Sequence, residues 1–220
     1  MKILIYRHSI YNRGGDRMIL VYANHLAGLG HEIHIMTNRI ETNLPISPKI
    51  KLLQIPLPTK LGTILTAATS NFGLYDVIIA DIVVLANLLS FRNKGKILYF
   101  AQDYDPSYYR REIMRKFIEM LFRLAFRVFR VKTIAVSENL ARKLGRFGDD
   151  ITVIPNGVNL NEFYPEPSDE LKSLADGRKI VLLFSRRDFR KGFDIAVRVL
   201  KKLHAVHPEL KLFVFSVGDG

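Results

Sequence analysis

The sequence predicts an α/β protein: a Rossmann-like parallel sheet with helices on both faces, followed by the opening of a second unit of the same build. Three observations predict it. Seven short apolar runs rich in β-branched residues recur through the first 155 residues. They are continuous rather than alternating, as strands buried on both faces require. Segments with helical spacing separate most of them, the pattern of parallel strands joined by right-handed crossovers. The rhythm breaks over residues 160–177 and then restarts.

KILIY (2–6) is the first strand. Asp16 to Leu29 reads as a helix with Ile19, Leu20, Ala23, Leu26 and Ala27 on one face. Strands follow at 31–37, 50–55, 76–81, 96–101, 133–137 and 151–155. Residues 108–132 read as one basic helix with two adjoining apolar stripes. Ile113, Phe117, Leu121, Leu124 and Val128 form the first; Met114, Ile118, Phe122, Ala125 and Phe129 form the second. Together they are wider than a helix needs to face one core. An anionic membrane surface is therefore an expected partner of residues 108–132.

Residues 160–177 carry Pro165, Pro167 and several acidic side chains, and read as a linker with one short helix. Beyond them come a strand at 179–185, a helix at 192–207 and a strand at 211–216. The expected domains are 1–159, a linker 160–177, and 178–220 as the beginning of an incomplete second domain. Two strands and one helix leave apolar faces uncovered, so self-association through 179–216 is expected. The 220 residues by themselves are expected to be inactive.

With 48% hydrophobic and 25% charged residues, the 220-residue chain has the means to bury a core. It has no Cys, which excludes a disulfide framework and a thiolate metal site. No run reaches the roughly 18 apolar residues of a spanning helix, and MKILIYRH enters a strand directly. The expectation is a cytoplasmic enzyme, peripheral on the inner face of the cell membrane. The net charge of +12 is uneven: residues 1–155 hold 22 Lys/Arg against 12 Asp/Glu, and residues 156–220 hold 11 against 9. An anionic partner is implied for the first part. No aromatic-basic recognition motif accompanies the charge, so nucleic acid is not expected.

Four loops carry candidate chemistry. In R-G-G-D-R (13–17), Gly14 and Gly15 allow close backbone approach ahead of a helix whose free N–H groups suit an anion. A tight strand-to-helix turn would use the same residues. S-R-R-D-F-R-K-G (185–192) gathers Arg186, Arg187, Arg190 and Lys191 before another helix N-terminus. Cations where the helix dipole is already positive call for an anion, and a diphosphate fits. F-A-Q-D-Y-D-P (100–106) brings Gln102, Asp103 and Asp105 to the carboxyl end of a strand, where open α/β sheets bind ligands. Asp105 ahead of Pro106 also reads as a helix cap. V-I-P-N-G-V (153–158) ends a strand with Asn156-Gly157 as a turn. His31 and His34 lack partner ligands, and no metal site is expected.

In order and spacing these pieces resemble the retaining glycosyltransferases of family 4. The likeness rests on the G-G loop, L-x-x-x-G-H-E-x-x-x-x-T (26–37), V-S-E-N-L (136–140), V-I-P-N-G-V-N-x-x-x-F (153–163), the spacing of Arg186, Lys191 and Gly192, and V-G-D-G (217–220). The resemblance implies the GT-B fold, with 1–159 as its acceptor-side domain, and sugar transfer from a nucleotide-diphosphate donor. The acceptor would be a glycan or a lipid-linked molecule of cell-surface polysaccharide or glycolipid synthesis. By that likeness Arg186, Lys191, Gly14 and Gly15 bind the donor diphosphate. Gln102 and Asp103 are the catalytic candidates, and Glu138, Asn156, Gly157 and Gly218 line the cleft. Fixed cations would stabilise charge on the leaving phosphate, so no cofactor or metal is needed. Gln102 stands where many relatives carry His, and Q-D-Y-D-P resembles bacterial polysaccharide rhamnosyltransferases. A Gln cannot act as a general base. A family pair of glutamates seven residues apart is absent from these 220 residues. Two other readings are a sugar-nucleotide epimerase of the same fold and a non-catalytic basic module for membrane surfaces.

Overall fold

The computed structural model describes residues 1–163, 165, 168–185 and 189–217. The chain divides into two compact units, Met1–Gly157 and Val158–Gly220. The first opens with β1 (Lys2–Tyr6), a two-residue β2 (Ser9–Ile10) and α1 (Gly14–Gly28). Then come β3 (Glu32–Thr37), a short β4 (Arg39–Ile40) that pairs with β2, β5 (Lys51–Gln54) and α2 (Lys60–Thr69). It continues through β6 (Val77–Ala80), α3 (Val83–Ser90), β7 (Ile97–Ala101), α4 (Glu112–Arg123), β8 (Lys132–Ala135), α5 (Glu138–Leu144) and β9 (Ile151–Val153).

Seven of these strands form one sheet in the order β5-β3-β1-β6-β7-β8-β9, every pair parallel. The strand order reverses between β1 and β6, the place where doubly wound sheets open a crevice at their carboxyl edge. The pleat of β1 sends alternate side chains to opposite cores. Leu4 and Tyr6 join Ile78, Tyr99, Phe122 and Leu144 on one side. Ile3 and Ile5 join Ile19, Leu20, Ala23, Ile33 and Ile35 on the other, beneath α1. All seven strand expectations hold, shifted by a residue or two at their ends.

The expected single helix over 108–132 is shorter, running without a break from 112 to 128, with a separate short turn ahead of it. A short 3-10 turn covers Asp105–Tyr108, α4 follows, and a π-helical turn covers Leu124–Val128. The π turn widens the helix before Arg130, whose φ of 52° ends it. Of the two stripes, one is core: Ile118, Phe122 and Ala125 are buried. The other is exposed at Ile113 (74%), Phe117 (46%) and Val128 (58%), while its Leu121 packs against the core.

The second unit holds α6 (Asp169–Ala175), β10 (Lys179–Phe184), α7 (Phe193–Val206) and β11 (Leu212–Val217). Ser168 caps α6 by accepting from Leu171 N at 3.3 Å. β10 and β11 pair in parallel across α7, one β/α/β step. Among the described residues of this unit only Ala175 is buried.

Candidate functional site

The carboxyl edge of the seven-stranded sheet gathers the polar side chains. Arg7 follows β1 and Asp81 follows β6, on either side of the point where the strand order reverses. Arg7 Nη2 donates to Asp16 and lies 3.2 Å from Asp81 Oδ2. Both Arg7 and Asp16 are buried. Burial raises the Asp81 carboxyl above its ordinary value, and the Arg7 guanidinium opposes that rise.

Asp16 connects this ion cluster to the glycine loop. Its Oδ2 accepts from Tyr11 N at 3.0 Å and from Arg13 N at 3.3 Å. α1 starts at Gly14, two residues before the expected Asp16, so its free N–H groups begin at the glycines themselves. Neither glycine has positive φ. Gly15 is closely approached: a Cβ there would stand 3.3 Å from Gln102 Oε1, and Gln102 Nε2 donates to Gly15 O at 3.2 Å. A Cβ at Gly14 would meet nothing within 4 Å. The structure thus brings together two candidates, Gly15 and Gln102, from loops 87 residues apart.

Asp103 accepts from Tyr104 N at 2.8 Å and remains partly exposed. Asp105 corrects its sequence reading. Rather than capping its own helix it reaches α3, where Oδ2 accepts from Val83 N at 3.1 Å. Tyr99 donates its hydroxyl to Oδ1 at 3.3 Å. Burial pushes the Asp105 carboxyl up to about 7, against the pull of these two donors. Glu138 opens α5 beyond β8, exposed. Asn156 and Gly157 follow β9 on an exposed irregular stretch, not the expected turn. The hydroxyl of Tyr22, on α1, reaches Pro155 O at 3.5 Å, and its ring meets Phe100 edge-on.

Lys191 belongs to the second unit, exposed just before Gly192, whose left-handed φ of 65° starts α7. Arg186 and Gly218 lie outside the described residues. Sequence reasoning missed Arg7, Asp81 and His8. His8 bonds Thr63 Oγ1 at 2.8 Å, and burial followed by the nearby Lys60 charge lowers its pKa. Position at a strand's carboxyl end could have flagged Asp81; nothing local could have paired it with Arg7. His34 bonds the Tyr75 hydroxyl at 2.7 Å and pairs with Glu32 at 3.1 Å, a structural role. Among the described residues no group of three or more His, Cys, Asp or Glu could hold a metal.

The arrangement offers a helix N-terminus beside a carboxamide at a sheet crevice, suited to an anionic or hydroxylated ligand. Comparison with known proteins agrees with this architecture. Over 70 residues, 32% of this chain, it is 30% identical to the phosphatidylinositol N-acetylglucosaminyltransferase gpi3 subunit of Schizosaccharomyces pombe (strain 972 / ATCC 24843). That stretch spans 14% of the relative's length. Among solved structures, WaaG, a glycosyltransferase involved in lipopolysaccharide biosynthesis, matches 97% of this chain and 70% of its own, with TM-score 0.63 and 16% identity. Sucrose-phosphate synthase from Thermosynechococcus elongatus matches 99% of this chain and 62% of its own, with TM-score 0.74 and 17% identity. At such identities the structures testify to the fold, the GT-B arrangement of parallel sheets. The sequence profile of Glycosyltransferase Family 4 matches residues 12–162, more than half of the chain and all of the crevice-edge loops from Gly14 to Gly157. The chain belongs to glycosyltransferase family 4.

Proposed function

We propose that this chain is the acceptor-side domain, with part of the donor-side domain, of an enzyme that moves a sugar from a nucleotide-diphosphate donor with retention of configuration. The observation that carries the reading is the Gly15–Gln102 contact at the crevice, inside the stretch that matches the family. In this reading the first N–H groups of α1, at Gly14 and Gly15, bind the donor phosphates, and Arg186 and Lys191 are the cations that serve the same diphosphate. Negative charge grows on the leaving phosphate as its bond to the sugar breaks. Fixed donors aimed at that charge favour the transition state over the ground state. Gln102 orients an acceptor or donor hydroxyl and takes no proton. The leaving phosphate oxygen receives the acceptor's proton instead. Glu138, Asn156 and Gly157 line the same edge.

The test is the kinetics of Lys191→Ala in the protein at its full encoded length. A fall in kcat of about 10²–10³, the effect of removing one donor to a developing oxyanion, is expected. An unchanged kcat at saturating donor overturns the assignment of Lys191.

The acceptor in this reading is lipid-linked. The relatives whose names mention phosphatidylinositol and lipopolysaccharide support it. So does α4, whose exposed Ile113, Phe117 and Met120 run beside Lys116 and Arg123, with Arg127 on the π turn that follows. Apolar side chains flanked by cations suit an anionic bilayer surface. Sedimentation with vesicles is expected to recover more protein with anionic than with neutral lipid, and the difference is expected to shrink with salt. Equal recovery sinks the electrostatic part.

A further inference from the structure

The glycine loop is held from below by a charge that has no place in the family motifs read from the sequence. Arg7, at the carboxyl end of β1, is buried and sits between two carboxylates, Asp16 and Asp81. Asp16 is itself buried and spends its second oxygen on Tyr11 N and Arg13 N, the backbone that leads into Gly14. The connection runs in one line: β6 through Asp81, β1 through Arg7, α1 through Asp16, and then the loop. Every contact along it has at least one charged partner, and the closest is the one between Arg7 and Asp16.

We propose that Arg7 is a positioning residue that fixes the backbone of residues 11–15, with Asp81 holding the guanidinium in place. A carboxylate at the start of a helix would on its own oppose an incoming anion, because it occupies the positive end of the helix dipole. Arg7 returns a positive charge to that end. It therefore sets both the geometry and the charge of the loop. Its Nη2 alone reaches both carboxylates, and the planar guanidinium fixes the directions of its N–H bonds where a rotating ammonium would not. What the ordered loop then does for the donor rests on the functional reading above; the ordering itself does not.

The two are separable by experiment. Hydrogen exchange is followed in the ligand-free chain for wild type, Arg7→Lys and Arg7→Met. In Arg7→Met the Tyr11 and Arg13 amides are expected to exchange at least about tenfold faster, with β3 and β6 amides still protected. Arg7→Lys keeps the charge without the fork and falls between. Should Arg7→Met fail to fold, Asp16→Asn, which keeps an acceptor oxygen but removes the ion pair, is read in the same way. Unchanged exchange at Tyr11 and Arg13 in a folded variant overturns the proposal. In the protein at full encoded length, kcat is expected to fall in Arg7→Met with little change in donor KM, and to recover in part in Arg7→Lys. Faster exchange with unchanged turnover supports the positioning role and counts only against the loop's place in the donor site.

Discussion

Asp105 is a carboxyl whose environment works against its charge. Burial lifts its pKa from the ordinary 3.8 to about 7, although Val83 N–H and the Tyr99 hydroxyl both donate to it. The folded state therefore holds this proton more tightly than the unfolded chain. Its contribution to stability is fully present below about pH 4 and is lost as pH rises toward and through 7. Asp105→Asn keeps an acceptor for Val83 and a group for Tyr99 but cannot ionise. Relative to wild type, the variant is expected to gain stability between pH 5 and pH 8, on the order of a few kcal/mol at about 1.4 kcal/mol per unit of pKa. Denaturant midpoints at the two pH values measure it, and a constant difference would assign the shift elsewhere. The pair Asp105–Pro106 announced a cap in the sequence. That the capped helix is α3, 22 residues away, was invisible, because the partner is chosen by packing rather than by neighbours in the chain.

At the scale of elements, α4 is the informative one. Its two apolar stripes were legible from spacing alone, but spacing cannot say which stripe meets the core. The sheet decides that, since β7 presents Tyr99 to Phe122 at 6.0 Å between ring centres, and Tyr104 stacks on Phe122 as well. Phe122→Ala opens a cavity in this aromatic cluster and is expected to cost about 3–5 kcal/mol. Ile113→Ser, on the exposed stripe, is expected to change folding stability by no more than about 0.5 kcal/mol. Chemical denaturation of the two variants checks the pair, and similar losses at both positions would mean that the exposed stripe is packed. The π turn after Arg123 was likewise illegible: Leu124, Ala125 and Phe126 are ordinary helix residues. The wider turn lets Ala125 stay buried while Phe126 and Phe129 pack against the same core.

At the scale of the molecule the two units differ in how much they bury. The first has two apolar cores, one on each face of its sheet. In the second, α7 has no buried residue, and Ile180, Leu182, Phe184 and Val214 on its strands are exposed. Local stability follows buried apolar surface. In this chain the β10 and β11 amides are expected to exchange at least about a hundredfold faster than those of β1, β3 and β6, a difference of about 2.7 kcal/mol. Hydrogen-exchange mass spectrometry resolves the two sets, and equal protection would mean that the second unit is as firmly buried as the first.

The strands, their parallel direction and the family were determined by sequence alone. Continuous apolar runs suit only strands covered on both faces, and the motifs between them keep fixed order and spacing. Even the restart after residue 177 shows in composition, where Pro165 and Pro167 interrupt the rhythm. The crevice was decided by tertiary structure. Arg7, Asp16 and Asp81 are a strand end, a helix start and another strand end, and no periodicity links residues 7, 16 and 81. Their meeting depends on β1 lying between β3 and β6, so that the strand order reverses beside β1. Gln102 reaches Gly15 for the same reason: long-range pairing sets which loops share an edge, and a buried charge can exist only where its partner has been brought to it.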